Sequence, residues 1–349
     1  MKTPLLEDET VIPEVILRYW NLPVTHLSFI PVGDSAYSYR IETQLAPYYL
    51  KIVDQRTSVG RRTGTQMEFS LPFQHFIAQQ RLPGFTAPLP QHTTSKTLYA
   101  VHGPLLFALY TFIAGETLAD AYPLPDDLIV RIGQAIGALH GVQIPHTLRQ
   151  RSPQDSLTVA FDDALLADLA SLEHISTTEN VYLQRLCELV WPRREQIRAF
   201  LAHAHEYAQK AQRVESSSVA CHGDPWGGNI ILTPNGRLVL LDWESSVIAP
   251  PERDAFIYAG YAGGDFAAFD AGYRAFHNEP VRWNPALLAY YAYRLQLRNL
   301  AHWLHNLLHE KLDDAQYEND LEMLGFHCLD RFEGVERNAV ELSSMLPPA

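Results

Sequence analysis

Asp224, Asn229 and Asp242 offer metal-binding and proton-accepting oxygens at a spacing that could serve one reaction. They lie in Cys221-His222-Gly223-Asp224-Pro225-Trp226-Gly227-Gly228-Asn229 and, after the apolar run 238–241, in Asp242-Trp243-Glu244. Moving a γ-phosphoryl group needs one carboxylate to take the proton of the acceptor hydroxyl. It also needs further oxygens to hold the Mg²⁺ that neutralises the phosphates. Asp224 suits the first task, and Asn229 and Asp242 suit the second. A lone Gly-Asp is ordinarily just a turn; the spaced partners are what argue for chemistry.

Something must bring Asn229 and Asp242 together. Residues 229–234 and 237–242 are apolar, strand-like runs on either side of Asn235-Gly236, a strong hairpin signal. A two-residue turn there sets Pro234 opposite Arg237 and Asn229 opposite Asp242. Opposed Cα atoms in an antiparallel pair are about 4.5–5.5 Å apart, close enough to share ions and phosphate oxygens. A bulge or a longer turn would shift that register by one residue.

The rest of the chain divides by character. A short helix over 12–20 precedes strands at 27–32, 36–42 and 48–53, a helix over 65–80, and strands at 97–101 and 105–110. After Gly115 the pattern turns helical, with helices expected over 128–140, 157–172, 181–210 and 287–310. The expected organisation is an α+β chain with a β-rich part over 1–110 and a mainly helical part over 111–349. Lys51 is a charge inside an apolar strand, which is unusual unless it is paired or functional. Glu68, on the helix that follows, is its natural partner.

The motif His222-Gly223-Asp224, Asn229 and Asp242-Trp243-Glu244 resembles the aminoglycoside phosphotransferase and choline kinase group, small-molecule kinases with the two-lobed protein-kinase fold. Ala249-Pro250-Pro251-Glu252-Arg253-Asp254 and Tyr290-Tyr291-Ala292-Tyr293-Arg294 look most like spectinomycin phosphotransferases. The resemblance implies that Lys51 holds the α and β phosphates of ATP or GTP. It implies that Ser35, in Gly33-Asp34-Ser35, belongs to a phosphate-covering loop, although only one glycine is present there. Thr111 and Ile113 then lie on a hinge whose backbone reads the purine edge, and His222 braces the catalytic loop. Glu244 either assists a second ion or forms a local ion pair. Arg253 and Asp254 read as a structural pair.

Composition narrows the partners. The net charge is −13, and residues 111–349 carry 18 Lys or Arg against 32 Asp or Glu. That acidic part is a poor surface for nucleic acid and a suitable one for a cationic small molecule. Asp265, Asp270, Tyr261 and Tyr273 are candidate lining for such a substrate. No apolar run reaches about 18 residues, and no signal-peptide pattern opens the chain. A soluble, cytoplasmic enzyme, monomeric or homodimeric, is therefore expected. Cys187, Cys221 and Cys328 have no metal-ligand or disulfide spacing. His302, His305 and His309 share a helix face, but packing or a surface role explains them better than a metal. The expected function is transfer of a γ-phosphoryl group to an aminoglycoside or aminocyclitol hydroxyl. The alternatives are a metabolite kinase acting on choline, homoserine or a thio-sugar, and a noncatalytic kinase-like binding module.

Overall fold

A computed structural model describes residues 3–5, 8–33, 35–175, 180–213, 217–260, 266–276 and 281–346. The strands are β1 (Val24–Ile30), β2 (Tyr37–Thr43), β3 (Pro47–Asp54), β4 (Phe85–Thr86), β5 (Ala100–His102), β6 (Leu105–Thr111), β7 (Glu116–Thr117), β8 (Val219–Cys221), β9 (Ile230–Leu232), β10 (Leu238–Leu240) and β11 (Val247–Ala249). Contacts group the chain into two compact units. One comprises 1–122, 134–153 and 222–248, and the other 123–133, 154–221 and 249–349. Asp224, Asn229 and Asp242 thus belong to the same unit as the β-rich segment. The fold is α+β, as the pattern of strands and helices in the sequence led us to expect.

In the first unit an antiparallel sheet runs in the order β1-β2-β3-β6-β5. Alternation along β3 explains its two faces. Leu50 and Ile52 enter a core with Ile12, Ile16, Tyr39, Phe107 and Leu109, beneath helix Asp8–Trp20. Val53 points the other way, into a core with Met67, Leu71, Leu106 and Ala108 beneath helix Ser58–Gln79. Lys51 shares the parity of Val53 and lies on a central strand, opposite Ser38 and Ala108. That helix begins seven residues earlier than expected. Thr57 caps it by accepting from the Gly60 N–H at 2.9 Å, and a Cβ at Gly60 would lie 1.9 Å from the Asp54 carbonyl oxygen. Gly60 and Gly64 weaken the helical signal locally, while close packing requires Gly60.

A second sheet runs β4-β10-β9-β7. Its β9–β10 hairpin corrects the expected register: Leu232 faces Leu238, and Ile230 faces Leu240. The loop has three residues rather than two. Thr233 pairs with Arg237, Gly236 N–H donates to the Thr233 carbonyl, and Gly236 has φ +75°. A type I turn followed by a left-handed glycine is the usual three-residue solution. Asn229 therefore bonds through its carbonyl to the Leu241 N–H at 2.8 Å. Asp242 lies one residue beyond that pairing.

The second unit is built around helix Pro285–His309, capped by Asn284 with proline in its first turn. Phe200, on helix Arg194–Gln212, stacks on Phe332 at 3.9 Å and meets Tyr293 at 4.3 Å. The single helix expected over 181–210 is two, Val181–Val190 and Arg194–Gln212, separated by a tight turn containing Pro192. Among the described residues, no helix is long and apolar enough to cross a membrane. All three cysteines are free.

Candidate active site

The end of β10 sets the geometry. Asp242 leaves the strand in the left-handed region, with φ 59° and ψ 63°, a conformation that most non-glycine residues avoid. This turns its carboxylate toward β3, where Lys51 Nζ donates to Asp242 Oδ1 at 2.6 Å and to Glu244 Oε1 at 2.8 Å. The side chains of Lys51 and Glu244 are 11% and 12% exposed, whereas that of Asp242 is 48% exposed. Lys51 bridges 191 residues of sequence here. Its partners are not the expected one. Glu68 is exposed on its helix, and among the described residues it forms no ion pair with Lys51.

The charges in this cluster hold one another in place. Burial disfavours the Lys51 ammonium, but Asp242 and Glu244 outweigh burial and raise its pKa well above the ordinary lysine value. For Asp242, burial opposes ionisation and the Lys51 charge overrides it, leaving the carboxyl well below the usual carboxylate range. Burial, and then the neighbouring Asp242 charge, push the Glu244 carboxyl above the usual carboxylate range. Glu244 Oε2 is buried without a hydrogen-bond partner. A buried, unsatisfied carboxylate oxygen beside a half-exposed carboxylate fits a divalent cation, because hard cations take oxygen ligands.

Asp224 is fixed within its loop by Asn229 and His222. Asn229, 8% exposed, donates its Nδ2 to the Asp224 backbone oxygen at 2.9 Å and to Asp224 Oδ2 at 3.1 Å. Its Oδ1 stays available as an acceptor. His222 is fully buried, with Nε2 2.7 Å from the Leu241 carbonyl oxygen and Nδ1 accepting the Asp224 N–H at 3.3 Å. Since Nδ1 accepts, Nε2 must carry the proton. His222 thus ties the segment before Asp224 to the residue before Asp242, which is the bracing role expected of it. Its ring meets Trp243 edge-on at 4.6 Å, and Trp243 packs on Phe73 at 5.7 Å. Gly223 has φ +86°, and a Cβ there would lie 2.0 Å from the Ser245 carbonyl oxygen. Sequence reasoning missed Tyr122, whose hydroxyl accepts the Gly227 N–H at 2.7 Å. No local signal marks a tyrosine 105 residues away.

The remaining candidates fall as follows. Thr111 ends β6 and donates its N–H to the Leu89 carbonyl at 3.0 Å, which leaves its carbonyl oxygen as the group that could read a base. Ile113 lies just beyond the strand. Ser35 occupies the bend between β1 and β2. Tyr261 and Asp265 lie outside the described residues. Asp270 accepts from Arg274 Nε and Trp283 Nε1, each at 2.6 Å, and Tyr273 is 2% exposed among aromatic rings. Both are occupied structurally rather than lining a substrate surface. His305 and His309 flank the buried Asp168, at 3.5 and 2.7 Å, and His302 lies beside Asn306. Arg253 does not pair with Asp254 as expected; its guanidinium lies over Tyr291 at 5.5 Å and Phe256 at 5.9 Å.

Comparison with known proteins places this geometry in context. Residues 26–303 match the family described as "Phosphotransferase enzyme family". Protein StrN of Streptomyces griseus is 24% identical over 287 residues, spanning 79% of this chain and 78% of that protein. The crystal structure of spectinomycin phosphotransferase APH(9)-Ia, in complex with ADP and spectinomycin, superposes with a TM-score of 0.74. It is 14% identical and covers 98% of this chain and 100% of that one. Macrolide 2'-phosphotransferase MphH from Brachybacterium faecium, an apoenzyme, is also 14% identical, with a TM-score of 0.55 over 92% and 98% of the two chains.

Proposed function

We propose that this chain, which belongs to the phosphotransferase enzyme family, transfers the γ-phosphoryl group of ATP or GTP to a hydroxyl of an aminoglycoside or aminocyclitol antibiotic. The observation that carries the reading is the convergence of Lys51, Asp242 and Glu244 within 2.6–2.8 Å, in the compact unit that also holds the Asp224–Asn229 pair. Residues 1–110 supply the nucleotide side, and 111–349 supply the hinge, the catalytic loop and the acceptor side.

The tasks then divide among these residues. Asp224 takes the proton of the acceptor hydroxyl onto a carboxylate oxygen, and Asn229 holds that carboxylate in orientation. Lys51 binds phosphate oxygens as a point charge. The Thr111 carbonyl and the Ile113 N–H meet the purine edge, and Ser35 lies in the loop that covers the phosphates. Asn229 Oδ1, Asp242 and Glu244 would hold Mg²⁺, which neutralises charge on the transferred group. His222 positions Asp224 without exchanging protons with the substrate.

An antibiotic acceptor is supported by the structural relatives bound to spectinomycin and, in APH(4)-Ia, to hygromycin B. The surplus of acidic residues after position 110 supports a cationic one. Purified protein with Mg²⁺ and ATP or GTP should release the nucleoside diphosphate when given spectinomycin or an aminoglycoside. Turnover of choline, homoserine or a thio-sugar in place of every antibiotic would replace this acceptor class with a metabolite. No turnover of any hydroxyl acceptor would reject the kinase reading.

A further inference from the structure

The second unit carries a basic recess that the proposed chemistry does not use. Tyr291, Arg294, Leu295 and Arg298 recur at i, i+3, i+4 and i+7 on helix Pro285–His309, so they form one face over two turns. With Arg253, from the short helix Glu252–Ala255, they line a small recess that is partly open to solvent. It is too small to enclose a drug-sized ligand, and its open side can seat only a single small group against the guanidiniums.

Two of its buried donors, Arg253 Nε and the Tyr291 hydroxyl, have no partner among the described residues. Arg253 is 6% exposed, and among the described residues no carboxylate pairs with it. Its Nε is buried without a hydrogen-bond partner. The Phe256 and Tyr291 rings beneath it offer only partial compensation for a buried cation. The Tyr291 hydroxyl is likewise buried without a partner, and burial keeps it protonated, hence a donor. Arg294 is differently placed. Its Nη1 lies 2.8 and 2.7 Å from the two carboxylate oxygens of Asp155, and 3.2 Å from the Tyr290 hydroxyl. Asp155 is thus engaged by Arg294 rather than by Arg253. Arg298 adds a third guanidinium to the lining.

We propose that Arg253, Tyr291, Arg294 and Arg298 form a binding site for a tetrahedral oxyanion of phosphate size. Such a group carries only acceptor oxygens in this role, and it can take hydrogen bonds from two helices at once. Guanidinium forks match its geometry. Free inorganic phosphate and the phosphoryl group of a monoester present the same chemistry to this site. The site involves none of the residues assigned to phosphoryl transfer.

Calorimetric titration of the full-length protein tests this, with inorganic phosphate and with phenyl phosphate as the two probes. Each titration is run with excess Mg²⁺ and a nonhydrolysable ATP analogue, to fill the proposed nucleotide site. Saturable 1:1 binding is expected, half-complete at or below about 1 mM. Tighter binding of phenyl phosphate would identify a monoester, and equal binding would identify the free ion; both support the site. Arg253→Gln should weaken binding at least about tenfold, and Arg298→Gln, at a partly exposed position, severalfold. Lys51→Met should leave it unchanged. Absence of saturation at about 20 mM, binding indifferent to both arginine substitutions, or loss in Lys51→Met would overturn the proposal. The last of these would place the anion in the nucleotide site, so failure here is separable from failure of the kinase reading.

Discussion

Glu252 makes stability depend on pH in a direction opposite to most carboxylates. It is 2% exposed; its Oε1 accepts the Asn284 N–H at 2.8 Å, and its Oε2 is buried without a partner. Burial pushes its carboxyl from 4.5 up to about 7. The folded chain therefore binds more protons than the unfolded chain between these values, so stability falls as pH rises through that window. The stabilisation is fully present below about pH 4.5 and is lost through about pH 7. At about 1.4 kcal/mol per tenfold, the loss amounts to roughly 3 kcal/mol. Glu252→Gln keeps the acceptor for Asn284 and cannot ionise. Urea denaturation of both proteins from pH 5 to 9 should show the variant gaining on the wild type by about 3 kcal/mol, mostly between pH 5 and 8. A difference that does not change with pH would refute the argument. So would a wild type that gains stability relative to the variant as pH rises.

Other perturbations test the site directly. Gly223→Ala forces a side chain into φ +86° and against the Ser245 carbonyl; it should cost at least about 1–3 kcal/mol from backbone strain and depress turnover, both measurable by thermal melts and initial rates. Lys51→Met removes a charge-assisted hydrogen bond worth about 1.5–3 kcal/mol, so nucleotide affinity should fall roughly 10- to 150-fold with the fold retained; unchanged affinity in calorimetry would contradict the assignment. A cationic acceptor should show a KM that rises with salt, because the Debye length shrinks from about 10 Å at 0.1 M to about 3 Å at 1 M, while the KM for nucleotide rises less. A salt-insensitive acceptor KM would remove the electrostatic support for a cationic substrate.

How much of this was legible in the sequence depends on whether the determining contact is local. The Asp224, Asn229 and Asp242 spacing and the strand carrying Lys51 were readable, because motif and alternation are local patterns. The hairpin register was not, since Asn235-Gly236 fits both a two-residue turn and the three-residue loop that forms. Choosing between them requires knowing that Thr233 pairs with Arg237. The partner of Lys51 was also hidden. Glu68 is near in sequence but exposed, whereas Asp242 and Glu244 reach Lys51 only because Asp242 takes a left-handed conformation. Arg253 beside Asp254 looked like a local pair, but tertiary packing turns the guanidinium over Tyr291 instead. Asp270 looked like substrate lining until Trp283 and Arg274 engaged it.

The most direct test of the central claim follows phosphorus in the wild type and in Asp224→Asn by ³¹P NMR, with Mg²⁺, ATP or GTP, and the best antibiotic acceptor. The wild type should yield a new phosphate-ester resonance together with the nucleoside diphosphate. Asp224→Asn should bind the nucleotide with unchanged affinity and form the ester about 10²- to 10⁴-fold more slowly, the usual cost of removing a positioned base. Ester formation at a near wild-type rate in Asp224→Asn, or no phosphorylated acceptor from the wild type, would contradict the account.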